Sequence, residues 1–350
     1  MNAKFSRVNK NLTAPPTIYH CARGNGHGMG ELKAVFSSVF PESLIVDLSG
    51  YVSRHKSYDE LNKIHTYKSD IFLGLFYPIG CAEPVSQWLF LSFKGSVVIH
   101  SPESPHTHPN LNRMLKNIHY FGPVKEIDKT ENDMLLTYLQ TVWWAYFQKE
   151  LSISNLLYGR NQSKNQLNPF FMIYAHGNCV EFREIAAWQF SKYGVVHLGG
   201  KCQGLSLNGN RSNLQHVRTG ITINNWLDNT HLYSRYRFCL VMEHEKDHSA
   251  YITEKILLAF IGGCIPIYHG SPLIFDIFNK DSFVYYNMSN PLLAHTRVQE
   301  LEANPDLYHS MANAPILANG KHTLRKYFSF SESVGDGFLK KKIRRLLSAK

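Results

Sequence analysis

Glu243, His244, Tyr251, Thr253, Glu254 and Lys255 lie within one short stretch between Tyr236 and Pro272. Arg237 to Met242 reads as a strand, Thr253 to Ile261 as a helix, and Ile265 to Tyr268 as a second strand. In an open α/β sheet, ligands bind beyond the carboxyl ends of strands, and the loop after Met242 lies at such an end. With Thr253 as the expected N-cap, Glu254 and Lys255 fall in the first helical turn, where free backbone N–H groups attract an anion. Lys255 adds a compact positive charge, and the carboxylates suit paired hydroxyl donors. The chemistry these types support is capture of a ligand that is anionic at one end and hydroxyl-rich at the other.

Other residues extend this set. Arg183, in the run His176–Arg183, offers a planar two-pronged donor for a phosphate or carboxylate. Lys201 follows the glycine pair Gly199–Gly200. Glu103, after the strand-like run Ser96–His100, is a carboxylate placed to take a proton. Taken singly, each has an ordinary reading. Arg183 would be a surface cation, Glu243 and Glu254 caps or ion-pair partners, and Glu103 an exposed acid in a proline-flanked loop. The group gains meaning because separate loops supply residue types that one reaction requires.

The elements that must position them alternate. Thr17–Cys21 reads as a strand, a glycine-rich loop to Gly30 follows, and Glu31–Phe40 reads as a helix. Leu44–Leu48, Asp70–Leu75 and Ser96–His100 are further strands, with a helix over Ser86–Leu91. Glu131–Tyr158 has helical length and no internal glycine or proline, and is expected to bridge two halves. Gly159–Asn168 is polar and reads as the linker. The pattern then restarts with Phe170–Tyr174 (strand), Val180–Tyr193 (helix), Val195–Leu198 (strand) and Phe283–Tyr286 (strand). The expected fold is α/β, with two Rossmann-like units facing across a cleft. Their expected bounds are a polar arm at 1–16, a first unit at 17–160, a second at 169–330 and a basic amphipathic tail at 338–350.

The 350 residues suit two domains, and 44% hydrophobic residues suffice for a core. A formal charge of +10 favours an anionic partner. No RNA-recognition signature, zinc-finger spacing or basic arm with interleaved aromatics is present, so nucleic acid is not expected. The start carries no signal-peptide pattern and no run is apolar enough to span a bilayer, which predicts a cytoplasmic or peripheral-membrane protein. Cys21, Cys81, Cys179, Cys202, Cys239 and Cys264 form no C-x-x-C pair and read as buried thiols. His100, His106 and His108 match no metal signature, and no Asp-x-Asp motif exists, so no metal is expected to hold a ligand. The glycine loop ending at Gly30 lacks the Lys-Ser/Thr of a P-loop and reads as a tight turn or an acceptor-side loop. In Phe338–Leu347, a stripe of Phe338, Leu339, Ile343, Leu346 and Leu347 has five cations around it. It suits either an anionic membrane surface or docking on the protein.

The stretch from Tyr236 to Pro272 resembles the α1,3/4-fucosyltransferases, the family-10 glycosyltransferases. Tyr236, Arg237, Phe238, Glu243, Tyr251, Thr253, Glu254, Lys255, Pro266 and Gly270 match that family's signature in order. His176–Arg183 with His197–Cys202, and Ser101–His108, are similar to two further blocks. Together the blocks cover most of residues 95–290; the first 90 residues show no such likeness. The resemblance implies a GT-B enzyme that moves fucose from GDP-fucose to a hydroxyl of a glycan such as N-acetylglucosamine or glucose, in α1,3 or α1,4 linkage. It implies an inverting single displacement with Glu103 as base, and donor contacts from Arg183, Lys201, Glu243, His244, Tyr251, Thr253, Glu254 and Lys255. No cofactor is implied beyond the donor, although a divalent metal could stimulate. One departure falls beside the donor: the family's Phe-Glu-Asn is Met242-Glu243-His244 here. Three alternatives stay open, namely a protein O-fucosyltransferase, a transferase using another GDP-sugar, and a nucleotide-sugar-binding protein without catalysis.

Overall fold

A computed structural model describes residues 14–348 apart from 22–27, 50–57, 76–82, 102–116, 124–130, 132, 163–167, 206–211, 218–225 and 245–249. Two six-stranded parallel sheets organise the chain. The first contains β1 (Thr17–His20), β2 (Leu44–Asp47), β3 (Ile71–Leu75), β4 (Ser96–His100), β5 (Ile118–Gly122) and β6 (Met134–Leu135), ordered β2-β1-β3-β4-β5-β6. The second contains β7 (Phe170–Tyr174), β8 (Val196–Leu198), β9 (Leu214–His216), β10 (Tyr236–Met242), β11 (Ile265–His269) and β12 (Val284–Tyr285), ordered β12-β11-β10-β7-β8-β9. In this second sheet the chain winds outward from β7 on one side and from β10 on the other. The winding direction therefore reverses between β7 and β10, where open α/β sheets hold ligands.

The helices are α1 (Met29–Val39), α2 (Tyr58–Leu61), α3 (Glu83–Leu91), α4 (Tyr138–Val142), α5 (Ile153–Tyr158), α6 (Glu181–Phe190), α7 (Asn229–Tyr233), α8 (Lys255–Gly262), α9 (Ile274–Ile277), α10 (Leu292–Ala303), α11 (Pro305–Ala312), α12 (Gly320–Phe328) and α13 (Phe338–Ser348). The central strands are apolar on both faces because helices cover both, the usual condition of a parallel sheet. In β7, Met172 and Tyr174 pack toward Phe182, Ala186 and Phe190 of α6, while Ile173 enters the opposite core with Ile256 and Phe260 of α8. Strand β10 alternates likewise, with Phe238, Leu240 and Met242 on the first face and Cys239 and Val241 on the second. In the first sheet, Ile18 meets the α1 stripe Leu32, Val35, Phe36 and Val39, and Tyr19 meets Trp88 on the other side.

The expected long helix over Glu131–Tyr158 is broken. It resolves into β6, α4, a π-helical turn at Trp143–Phe147 and, beyond Lys149–Ser152, α5. Ser152 ends the first run by capping α5: its hydroxyl accepts from Asn155 N–H (3.2 Å), and the Asn155 side chain accepts from Ser152 N–H (3.1 Å). Tyr138, Leu139, Val142, Trp143 and Leu156 pack into the core of the second sheet, so this bridge belongs with the second unit although it precedes the polar segment. The start of that segment is held there too, with the Arg160 guanidinium donating to Ala312, Phe260 and Cys264 carbonyls.

The chain then returns. Phe330, Leu339 and Ile343 are buried beside Phe36 and Val39 of α1, with Leu346 and Leu347 packed around them. The Arg344 guanidinium donates to Val39 O (2.9 Å), and Ser38 Oγ donates to Phe330 O (2.9 Å). Docking on the protein is thus the fate of the tail's apolar stripe, which is spent on α1 and is not offered to a membrane. The cysteines also differ from expectation. Cys179 pairs with Cys202 and Cys239 with Cys264, and Cys21 is disulfide-bonded as well, because the loops after β7 and β8, and β10 with the start of β11, bring the sulfurs together. Among the described residues, no helix is long and apolar enough to cross a membrane.

Candidate active site

At the reversal point of the second sheet, the loop after β10 and the start of α8 close on one carboxylate. Glu243 is completely buried. It accepts from Thr253 N–H (2.8 Å), the Thr253 hydroxyl (2.9 Å), Lys255 Nζ (3.2 Å) and the Tyr268 hydroxyl (3.4 Å). A buried carboxylate is stable only when so saturated. Gly270 makes the room, since a Cβ there would crowd the Glu243 side chain and the Tyr268 hydroxyl. Glu243 thus holds its neighbours in place, its carboxylate fully engaged by them.

Thr253 has the same fate. It does not cap the helix, which starts at Lys255 after Glu254; its hydroxyl bonds Glu243 and accepts from Lys255 Nζ (2.8 Å). Lys255 stays partly accessible, its side chain 20% exposed. Burial works against its charge, but Glu243 and Glu254 outweigh burial and hold its pKa above the ordinary lysine range. The ammonium is thus fixed and permanently charged. Glu254 is 13% exposed in its side chain, with a carboxylate oxygen 4.0 Å from Lys255 Nζ.

Arg183, on the first turn of α6, is 1% exposed. Its Nε donates to Glu243 O (3.2 Å) and one terminal nitrogen to Asn178 O (3.0 Å). The other terminal nitrogen, Nη2, is buried without a protein partner. Arg183 and Lys255 both bond Glu243, and Nη2 keeps a donor that the described residues do not use. Burial lowers the Arg183 pKa, opposed by Glu243.

His244 is half-buried, and the Tyr251 hydroxyl lies 3.2 Å from its Nδ1, with the two rings edge to face. The histidine that replaces the family's Asn thereby engages Tyr251, which is 3% exposed. His176, at the end of β7, turns its Nε2 to Leu240 O (3.0 Å), and burial holds its pKa well below the usual value, so it is neutral. Lys201 is exposed at the rim, and its backbone N–H donates to His176 O (3.0 Å). Gly200 permits this approach, because any Cβ would overlap the His176 backbone.

On the first sheet, Glu103, His106 and His108 lie outside the described residues. His100, at the carboxyl end of β4, is fully buried, its Nδ1 2.7 Å from Phe121 O; burial lowers its pKa to about 4. Cys179, Cys202 and Glu184 bring three potential ligand atoms within 4.8 Å of one another. The two sulfurs are bonded to each other and Glu184 accepts from the Tyr174 hydroxyl (2.7 Å), so this group is not an open cation site. Sequence reasoning passed over Tyr268, Asn178 and Glu31. Tyr268 acts from the next strand, which no local pattern reveals, whereas Asn178 lies five residues before Arg183 within the block His176–Arg183. Glu31 did carry a signal, as an acid opening a helix directly after a glycine-rich loop.

No family model matches the chain. The architecture is that of the GT-B glycosyltransferases: it superimposes on a crystal structure of an α1,3-fucosyltransferase with a TM-score of 0.62, 16% identity, and coverage of 98% of this chain and 93% of the other. A structure of an α1,3-fucosyltransferase with GDP-fucose matches with a TM-score of 0.57 and 17% identity over 98% and 93% of the two chains. In sequence the chain is similar to a protein of Acanthamoeba polyphaga mimivirus named a putative fucosyltransferase, with 28% identity over 238 residues. That match covers 66% of this chain and 37% of the relative, so the chain spans little more than a third of that protein's length. The resemblance read from Tyr236–Pro272 is upheld by these likenesses.

Proposed function

We propose that the protein is a glycosyltransferase that moves fucose from GDP-fucose to a hydroxyl of a glycan acceptor. The observation that carries this reading is the pairing of a fixed Lys255 ammonium with the unmatched Nη2 of Arg183 at the reversal point of a Rossmann-type sheet. Departure of a sugar from a nucleoside diphosphate leaves negative charge on the diphosphate, and preorganised cations stabilise it without reorganising. Glu254, in contact range of Lys255 and more exposed than Glu243, is the group for sugar or ribose hydroxyls. Tyr251 and His244 form a wall beside it, and Lys201 closes the rim. The relatives named for fucose transfer support the choice of donor.

Glu103 is the proposed base. It removes the proton of the acceptor hydroxyl as that oxygen attacks C1 and the bond from C1 to the diphosphate oxygen breaks, a single displacement that inverts the anomeric centre. Fixed cations meet the diphosphate's charge here, so a divalent metal is at most a stimulant. The Tyr251–His244 contact favours one second reading, a different GDP-sugar, because an imidazole presents another shape than the family's amide.

Binding and turnover of a panel of GDP- and UDP-sugars test the proposal. GDP-fucose is expected to bind and to be transferred, and Glu103→Gln is expected to abolish transfer while GDP binding stays within about twofold. Folded protein that neither binds nor turns over GDP-fucose defeats the reading, and weakened GDP binding in the variant means that the base lies elsewhere.

A further inference from the structure

Glu31 lies in the first turn of α1, three residues after its N-cap Gly28, and is 5% exposed. One of its carboxylate oxygens accepts from Gly28 N–H (3.1 Å), fastening that N-cap to the first turn. The other accepts from the Tyr138 hydroxyl (3.0 Å), across 107 residues of chain. The Tyr146 hydroxyl bonds to the same carboxyl group. Tyr138 belongs to the core of the second unit. The next residue, Leu139, donates its N–H to Ile252 O (3.3 Å), between Tyr251 and Thr253. Glu254 is near enough that its charge, after burial and that of Glu31, helps keep the Tyr138 hydroxyl protonated.

These contacts form one continuous path from Gly28 at the start of α1, through Glu31 and Tyr138, to the segment that supplies Tyr251, Glu254 and Lys255. A buried carboxylate held by three donors from three separate elements has few alternative positions, because any shift leaves charge or a hydroxyl unpaired. Building on the donor-site reading above, we propose that Glu31 and Tyr138 are positioning residues that lock the N-terminal turn of α1, in the first unit, to the donor-binding segment 251–255.

The path makes separable predictions. Tyr138→Phe keeps the packing and deletes only the bond. It is expected to leave GDP affinity within about twofold, to lower kcat for transfer roughly tenfold, and to raise acceptor KM, since positioning loss appears in the reacting geometry. Glu31→Gln retains an acceptor oxygen for Tyr138 and should keep most of the rate, whereas Glu31→Ala, which also releases Gly28 N–H and Tyr146, should lose at least as much as Tyr138→Phe. The double variant Glu31→Ala/Tyr138→Phe should be no worse than Glu31→Ala alone, the mark of Tyr138 acting through Glu31.

Amide hydrogen exchange reads the same link without turnover. Leu32 N–H, bonded to Gly28 O (3.0 Å), and Leu139 N–H report the two ends of the path. In the ligand-free protein both should exchange faster in Tyr138→Phe, and GDP should protect Leu32 in the wild type but not in that variant. If GDP fails to bind the wild type, the functional reading falls, and the link is judged by exchange in the ligand-free protein alone. Additive effects of the two changes, or unaltered Leu32 exchange in Tyr138→Phe, overturn the proposal.

Discussion

Among single side chains, accessibility decides which of the residues that stand together in the sequence can meet a ligand. Glu243 and Thr253 are consumed by each other and by Lys255, so their contribution is rigidity. Lys255 and Arg183 retain capacity for an anion, Lys255 through its partly exposed side chain and Arg183 through Nη2. Replacing Arg183 by Lys removes the planar fork while keeping the charge. GDP affinity, measured by titration calorimetry, should fall about tenfold or more with the circular dichroism unchanged. Unchanged affinity would take Arg183 out of the binding site.

Helix α13 shows how an element can be misjudged from its own pattern. Its apolar stripe and cationic surround are what an interfacial helix displays, yet Leu339 and Ile343 are buried against α1. Both outcomes satisfy the same amphipathic periodicity, and only the presence of a complementary protein face separates them. Ile343→Asp places a carboxylate at a site with no exposure and should cost about 3 kcal/mol or more, measured by urea unfolding. Lys341→Glu, on the exposed side, should stay within about 0.5 kcal/mol. Equal, small effects of the two changes would mean that the helix is not docked. The α4–α5 region teaches a related lesson. Its composition is helical throughout, but Ser152 and Asn155 make a capping pair in mid-run, a local signal strong enough to restart the helix.

Over the molecule as a whole, the two units are joined twice, by the bridge at Tyr138–Tyr158 and by the return of α13, and each sheet buries neutral histidines. His100, with a pKa of about 4, and His176, held well below its usual value, are both uncharged when folded. Unfolded histidine takes up a proton near pH 6.5, so below that pH the unfolded chain binds more protons and stability falls as pH drops. For His100 the loss runs from about pH 6.5 to about 4, where the folded state also protonates, and amounts to roughly 3 kcal/mol. Unfolding midpoints should therefore decline steadily from pH 7 to 4.5, and replacing His100 by Asn should flatten the slope. A flat profile in the wild type would show that these rings are not buried neutral.

The alternation of strand and helix, the parallel class of both sheets and the stretch from Tyr236 to Pro272 were legible in the sequence, because each is written in local periodicity and spacing. Arg183 and Lys255 stood out through the family likeness, Arg183 by itself reading as a surface cation. Their convergence on Glu243, the help of Tyr268, the cysteine pairings and the Glu31–Tyr138 contact were not, since each joins different elements of the chain. Period-two and period-3.6 patterns say which face of an element is apolar. Which partner that face meets, and which polar groups close on one another there, is settled only when the whole chain packs.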